Sequence, residues 1–458
     1  MHWLLIGYLF LFIHRPFEIW PWLGELRIER VYMLGLLAAW LVAPKRWLPN
    51  WLHVAYAGLA CAFTLAWFAS PWAEHGQIVV ENWFKVLVFY VILVTTVFDE
   101  RGLKRIVTGF LAVMTLYLLH SLREYLGGRY TYRMGIARMI GVDQSLGDPN
   151  SFGASIVFAL PFVTAFWRAG IGGRIGKTMV LGYVALSLLC VLLTGSRSSL
   201  LGVILWFTLL ILQSRRRGLF LIVFLLTAPL VFLALPESLQ TRFETIIDPS
   251  VGPANAQESG QGRILGLLTG LELWSANPLT GVGPGAWRPA TGSTIESHNL
   301  YGQLLGETGS LGALMFLAML LAYGGNIRRI RRICQAIPAW RNDFLGQVAS
   351  SVATALLLLL FLGNFGHNLF RFSWLWYGGF LLIARYCLEQ RLRKLPDWEV
   401  TASAEPWPVS EAETWPVSES EAEGDGVPAT SSFKNSGWRS DPAHTTPGIL
   451  RAWDSPRR

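Results

Sequence analysis

Three stretches of this 458-residue chain place polar or ionisable groups at the head of an apolar run: GDPNSFG at 147–153, TGSRSSLLG at 194–202 and ESHNLYGQLLGETGSLG at 296–312. Read as helix starts, they offer Asp148, Asn150, Ser196, Ser198 and Ser297 as competent N-caps. Capping does not account for Arg197, because a guanidinium at a helix N-terminus opposes the helix dipole unless an anion sits there. With Gly195, the hydroxyls of Ser196 and Ser198 and the free N–H groups of the first turn, Arg197 makes a cradle of the kind that binds phosphate. The alternative is a long side chain snorkelling to an interface. His298 carries an imidazole that titrates near neutral pH, and its other reading is a structural histidine. At about 100° per residue, His298, Gly302, Leu305, Gly309 and Gly312 share one helix face, a stripe that lets a helix or lipid chain approach closely. Gln303, Glu307 and Ser310 lie roughly opposite, so Glu307 is expected to bond a neighbouring span or fix a loop. GNFGHNLFRFSW at 363–374 repeats the His-Asn pair, with His367 four residues before Arg371. It reads as an aromatic interfacial belt, with His367 in reserve as a base.

The elements that must position these residues belong to a membrane. Hydrophobic residues are 52% of the chain and charged residues 15%, against roughly 25% charged in a soluble domain, and mean hydropathy is +0.40. The fold class this implies is an all-α integral membrane protein. About twelve transmembrane helices are expected from the apolar runs, centred near residues 8, 37, 60, 90, 113, 160, 186, 206, 227, 313, 356 and 380. The formal charge of +8 falls in short Lys/Arg clusters between apolar segments, such as SRRR at 214–217 and RRIRR at 328–332, so it reads as a topology signal rather than a nucleic-acid surface. Each cluster follows an even-numbered span, which places both termini in the cytoplasm and the segment between the ninth and tenth spans outside. The basic loop 121–150, with Arg123, Arg129, Arg133 and Arg138, runs against that pattern. It is either a tolerated basic loop or a set of arginines that meets an anion.

The resulting organisation is spans 1–9 over residues 1–235, a periplasmic loop domain over 236–297 with a short amphipathic helix, spans 10–12 over 298–395, and an acidic, Pro-rich tail over 396–458 expected to be disordered in the cytoplasm. Cys61, Cys190, Cys334 and Cys387 stand far apart, without disulfide or zinc spacing. The N-terminus lacks the pattern of a removable signal peptide.

Arg197 together with RILGLLTGLELWSANPLTGVGPGAWRPATGSTIESHNLYGQLLGETGSLG at 263–312 resembles the O-antigen ligase and polymerase-related family of bacterial membrane proteins. The matching positions are Arg197, Arg263, Asn277, Pro278, Gly281, Gly283, Gly285, Ser297, His298, Asn299, Glu307 and Gly309. Ser297 directly precedes His298, and the loop is short for a ligase of this class. GVGPG is no dinucleotide fingerprint, since no βαβ unit surrounds it.

The resemblance implies an O-antigen ligase-like glycosyltransferase that moves a glycan from an undecaprenyl-diphosphate carrier to an acceptor hydroxyl at the periplasmic face of the inner membrane. In that reaction Arg197 and Arg263 stabilise the leaving diphosphate and His298 takes the acceptor's proton. Arg288, Ser196, Ser198, Asn299 and Glu307 are expected to contact substrate. No Asp-x-Asp or paired-carboxylate motif stands on the outer side, so neither a metal nor another cofactor is expected, and direct displacement inverts the anomeric centre. Acceptors consistent with the resemblance are the lipid A core, a growing polysaccharide or a protein, the last two making the chain a polymerase or a protein O-oligosaccharyltransferase. A lipid-linked glycan transporter is the reading from another class. It would place ionisable residues near the bilayer midplane and show repeated halves, and the sequence does neither.

Overall fold

The computed structural model describes residues 1–394 apart from 134, 144–146, 215, 247 and 249–253. The tail expected over 396–458 lies outside the described residues. The helices in chain order are α1 (His2–Ile13), α2 (Pro16–Ile19), α3 (Pro21–Glu25), α4 (Ile28–Val42), α5 (Trp51–Phe68), α6 (Ala73–Thr96), α7 (Glu100–Leu126), α8 (Pro149–Ala159), α9 (Pro161–Arg168) and α10 (Gly173–Thr194). They continue as α11 (Arg197–Gln213), α12 (Arg217–Leu233), α13 (Glu237–Glu244), α14 (Ala254–Ala276), α15 (Trp287–Thr291), α16 (Leu300–Ala336), α17 (Phe344–Gly363) and α18 (Ser373–Leu392). The one departure from helix is an antiparallel hairpin of β1 (Tyr130–Arg133) and β2 (Ile136–Met139), in which Tyr130 pairs with Met139. It occupies the loop that carries the anomalous arginines.

Every expected span centre falls on a helix, with residue 160 at the α8–α9 junction. Seven segments are long and apolar enough to cross a membrane: α5, α6, α7, α8 with α9, α10, α16 and α17. Helices α11 and the first part of α12 are apolar but shorter. The chain is a multi-pass membrane protein, and many large apolar side chains face outward, Leu41, Phe68, Leu181 and Leu230 among them, as lipid-facing helices require.

Glycines set the closest helix contacts around the site. A Cβ at Gly270 of α14 would run into the Gly302 backbone of α16, and one at Gly302 into Gly266 and Leu267 of α14. The small-residue stripe expected after residue 298 is therefore filled by α14, which brings Arg263 alongside the start of α16. Likewise Gly153 of α8 lies against Ser199 of α11, so the heads of these two helices touch.

Helix α16 does not begin at His298 and does not run straight. Asn299 is its N-cap, its side chain accepting from the N–H groups of Tyr301 at 2.9 Å and Gly302 at 3.1 Å. His298 thus sits before the helix, and the helical wheel that placed it opposite Glu307 does not apply. At Gly309 the backbone turns to φ 61°, ψ −163°. The turn at 278–285 is stitched into this break. Val282 and Gly283 donate to the carbonyls of Gly306 and Glu307 at 2.8 and 3.0 Å, while Ser310 and Leu311 donate to Pro278 and Leu279 at 2.8 and 3.2 Å. Positive φ at Gly281, Gly283 and Gly285 is what allows the chain to lie this close.

Candidate active site

The heads of α8 and α11 and the connections before α16 and α18 enclose a pocket of about 400 Å³, lined by Asp148, Asn150, Ser198, His298, His367 and Arg371 among others. Asp148 is the N-cap of α8, one carboxylate oxygen accepting from the N–H groups of Asn150 and Ser151 at 3.0 and 3.2 Å. His298 and His367 face each other with ring centroids 6.0 Å apart. Arg371 is buried beneath them, donating to Ser155 Oγ at 2.8 Å and to the Ser151 carbonyl at 3.3 Å. Its Nε finds no partner, and among the described residues it makes no ion pair.

Further arginines gather around this pocket. Arg263 lies over the Phe365 ring, 4.9 Å from its centroid, and Phe365 is itself part of the pocket wall. Arg197, the first residue of α11, donates to Thr245 Oγ1 at 2.9 Å, and Arg242 donates through Nε to the Gly195 carbonyl at 2.5 Å. Helix α13 is thereby clamped over the α10–α11 turn from both sides. Arg138 of β2 donates to the Thr194 carbonyl at 2.8 Å and to Asn150 Oδ1 at 2.9 Å, so the hairpin ties the end of α10 to the head of α8.

These charges feel one another. Burial, then Arg242, pulls the Arg138 guanidinium down to about 9, with Arg133 and Arg197 adding to the effect and Asp148 opposing it. Burial, then Arg197, lowers Arg263 to about 10, and burial, then Arg197 and Arg133, lowers Arg242 to about 10. All three stay charged at neutral pH, so the site holds a crowded positive field suited to an anion. His298 is pushed below the ordinary histidine value by burial, then by Arg263 and Arg133, with Asp148 pulling the other way. His367 is pushed down by burial, then by Arg371 and His298, again with Asp148 opposing. His367 presents one open face to the pocket, while protein packed around its remainder removes its hydration. Both imidazoles are neutral at neutral pH and available to take a proton.

Residues 182–317 match the family model described as O-antigen ligase. Over that segment the chain is similar to the O-antigen ligase family. No curated protein matches it. The matched segment carries Arg197, Arg242, Arg263 and His298, whereas Asp148, His367 and Arg371 line the pocket from outside it, and Arg138, also outside it, bonds Asn150 of the pocket wall.

Of the residues singled out in the sequence, the structure places His298 and Ser198 on the wall of one pocket and Arg263 against Phe365 of that wall, with Arg197 next to Arg263, and sets others to structural work. Ser196 is buried as the N-cap of α11, bonded to Ser199 and close to Ser198 Oγ at 3.2 Å. Asn299 caps α16. Glu307, with no exposed surface, accepts from the Gly285 N–H at 3.1 Å and Gln303 Nε2 at 3.3 Å; it holds the turn and is not among the residues that line the pocket at His298. Arg288 is paired with Glu296 at 2.8 Å. Sequence reasoning took Asp148 for a cap alone, offered Arg138 only as one of four loop arginines that could meet an anion, and missed Arg242 and Arg371 as members of the site. The basic character of the 121–150 loop was the available signal for Arg138, and the four-residue spacing from His367 the signal for Arg371.

Proposed function

We propose that the protein is a glycosyltransferase of the O-antigen ligase type, moving a glycan from an undecaprenyl-diphosphate carrier to an acceptor hydroxyl at the periplasmic face of the inner membrane. The observation that carries this reading is a neutral His298 on the wall of a polar pocket with Arg263 beside it and Arg197 next to Arg263. The acceptor hydroxyl enters the pocket and gives its proton to His298 as its oxygen attacks the anomeric carbon. The bond from that carbon to the diphosphate breaks, and the electron pair leaves on the diphosphate. Arg197 and Arg263 hold the departing charge, planar guanidinium groups being well matched to phosphate oxygens. One displacement from the opposite face inverts the anomeric configuration. In this scheme the arginines supply the positive charge that a divalent cation supplies in other transferases.

A transporter reading is disfavoured because the ionisable groups gather around helix heads at one end of the bundle, not at mid-depth. The test is transfer by the purified protein in lipid, with EDTA present and a polyprenyl-diphosphate glycan as donor. Lipid A core, polysaccharide and peptide acceptors are offered in parallel, so the one consumed distinguishes ligation, polymerisation and protein glycosylation. Transfer by the wild type and its loss in a folded His298→Ala protein support the reading; full activity in that variant overturns it.

A further inference from the structure

The reaction leaves a proton on an imidazole that stands among arginines, the least favourable surroundings for an imidazolium. The groups that face His298 are Arg263 from α14, Arg133 from β1, His367 from the α17–α18 connection and Asp148 at the head of α8. One of these is anionic. Asp148 also faces His367, Arg371 and Arg138, so a single carboxylate looks onto both pocket histidines. It is exposed to the pocket, and only one of its two oxygens is engaged by the α8 cap. Capping does not require the charge, since asparagine and serine cap a helix about as well as aspartate.

We propose that Asp148 is a positioning residue for proton transfer, the carboxylate that stabilises the imidazolium formed on His298 when the acceptor hydroxyl is deprotonated. This deepens the function proposed above and rests on it. The bonds made and broken are those of the displacement already described. Asp148 exchanges no atom with substrate; it strengthens His298 as a base and holds the resulting positive charge against the repulsion of Arg263 and Arg133. His367, held neutral on the opposite wall, does not compete for Asp148, and the cations that do are Arg371 and Arg138.

Asp148→Asn and Asp148→Ser separate charge from cap, because both keep an acceptor for the first-turn N–H groups. Two readouts are taken in full-length protein in lipid: the pH profile of glycan transfer, and the pH dependence of diethyl pyrocarbonate acylation at His298, followed by mass spectrometry. Acylation reads the neutral imidazole directly and needs no glycan donor. Loss of the carboxylate lowers the His298 pKa, so the acid limb of both profiles moves to lower pH by on the order of one unit, the low end of a close charge pair. The plateau transfer rate falls by on the order of tenfold, as expected for a weaker base. Unmoved profiles in both variants overturn the proposal even when His298→Ala is inactive. A shifted acylation profile in a protein that transfers no glycan upholds the pairing of Asp148 with His298 and sinks the transferase reading instead.

Discussion

His298 is kept neutral by its surroundings, and the direction of its shift fixes a pH dependence. Burial and the Arg263 guanidinium disfavour its charged form. The active, neutral form therefore persists below the ordinary histidine value near 6.5, and transfer is lost only as pH falls through the lowered pKa. An acid limb below pH 6.5, measured over pH 4.5–8, is expected; one above 6.5 contradicts the base assignment. Removing the imidazole in His298→Ala is expected to lower the plateau rate by about 10²–10⁴-fold with an unchanged melting temperature. Arg263→Lys keeps the charge but gives up the planar stack on Phe365 and the bidentate grip on phosphate. A drop of roughly tenfold in donor affinity, read as KM at fixed acceptor, follows if that geometry matters, and an unchanged KM says that charge alone suffices. Arg197 and His298 stood out because their oddity is local, a cation at a helix head and an imidazole opening an apolar run, whereas Arg263, which lies inside α14, stood out only through the family resemblance. Asp148 was not, because an aspartate before Pro149 already has a complete local explanation as a cap. Arg242 sits in a segment of ordinary pattern, and Arg138 in a loop whose excess of arginines was visible without its target; only the tertiary fold brings them to the cluster.

At the level of elements, the Gly-rich turn and the Glu-x-Gly step of α16 are two halves of one join. The turn supplies N–H groups to carbonyls of Gly306 and Glu307, the helix returns N–H groups to Pro278 and Leu279, and the Glu307 carboxylate ties off the Gly285 N–H. A periodicity argument assumes an unbroken helix and so could not see this, although the expectation that Glu307 fixes a loop came from the same reasoning. Glu307→Gln retains an acceptor oxygen for Gly285 and is expected to fold and transfer nearly as wild type. Glu307→Ala strands the Gly285 N–H and the Gln303 amide in a buried site, at a cost of about 1–3 kcal/mol for each unsatisfied group. A melting temperature lowered in the Ala variant and spared in the Gln variant, in the same lipid, is the expected pattern; equal melting of both shows that the join does not depend on this side chain. Gly281→Ala is a harsher test, since it combines φ +64° with a Cβ driven into the Gly306 and Glu307 backbone, and it is expected to abolish the folded protein.

Two pockets among the described residues lie at opposite ends of α18, and their chemistry differs. The larger, about 580 Å³, is lined by Arg46, His53, Arg385, Tyr386 and Glu389 among others. Its charges are internally satisfied: Arg46 donates to Tyr386 at 3.0 Å and Arg385 pairs with Glu389 at 2.9 Å. The pocket at His298 instead sets two histidines beside an arginine whose Nε has no partner, so size is a poor guide to the site. The distribution of Lys and Arg along the chain then predicts which side each pocket faces. Thr294, exposed in the connection before His298, belongs outside, and Asn342, exposed between α16 and α17 beside the RRIRR cluster, belongs in the cytoplasm. In a background lacking Cys61, the one exposed native thiol among four, Thr294→Cys is expected to react with a membrane-impermeant maleimide in spheroplasts. Asn342→Cys is expected to react only after the membrane is permeabilised. The reverse pattern would put the arginine cluster on the cytoplasmic side, where the proposed transfer at the periplasmic face could not take place, and would remove the physical basis for that reaction whatever the activity of the His298 variants.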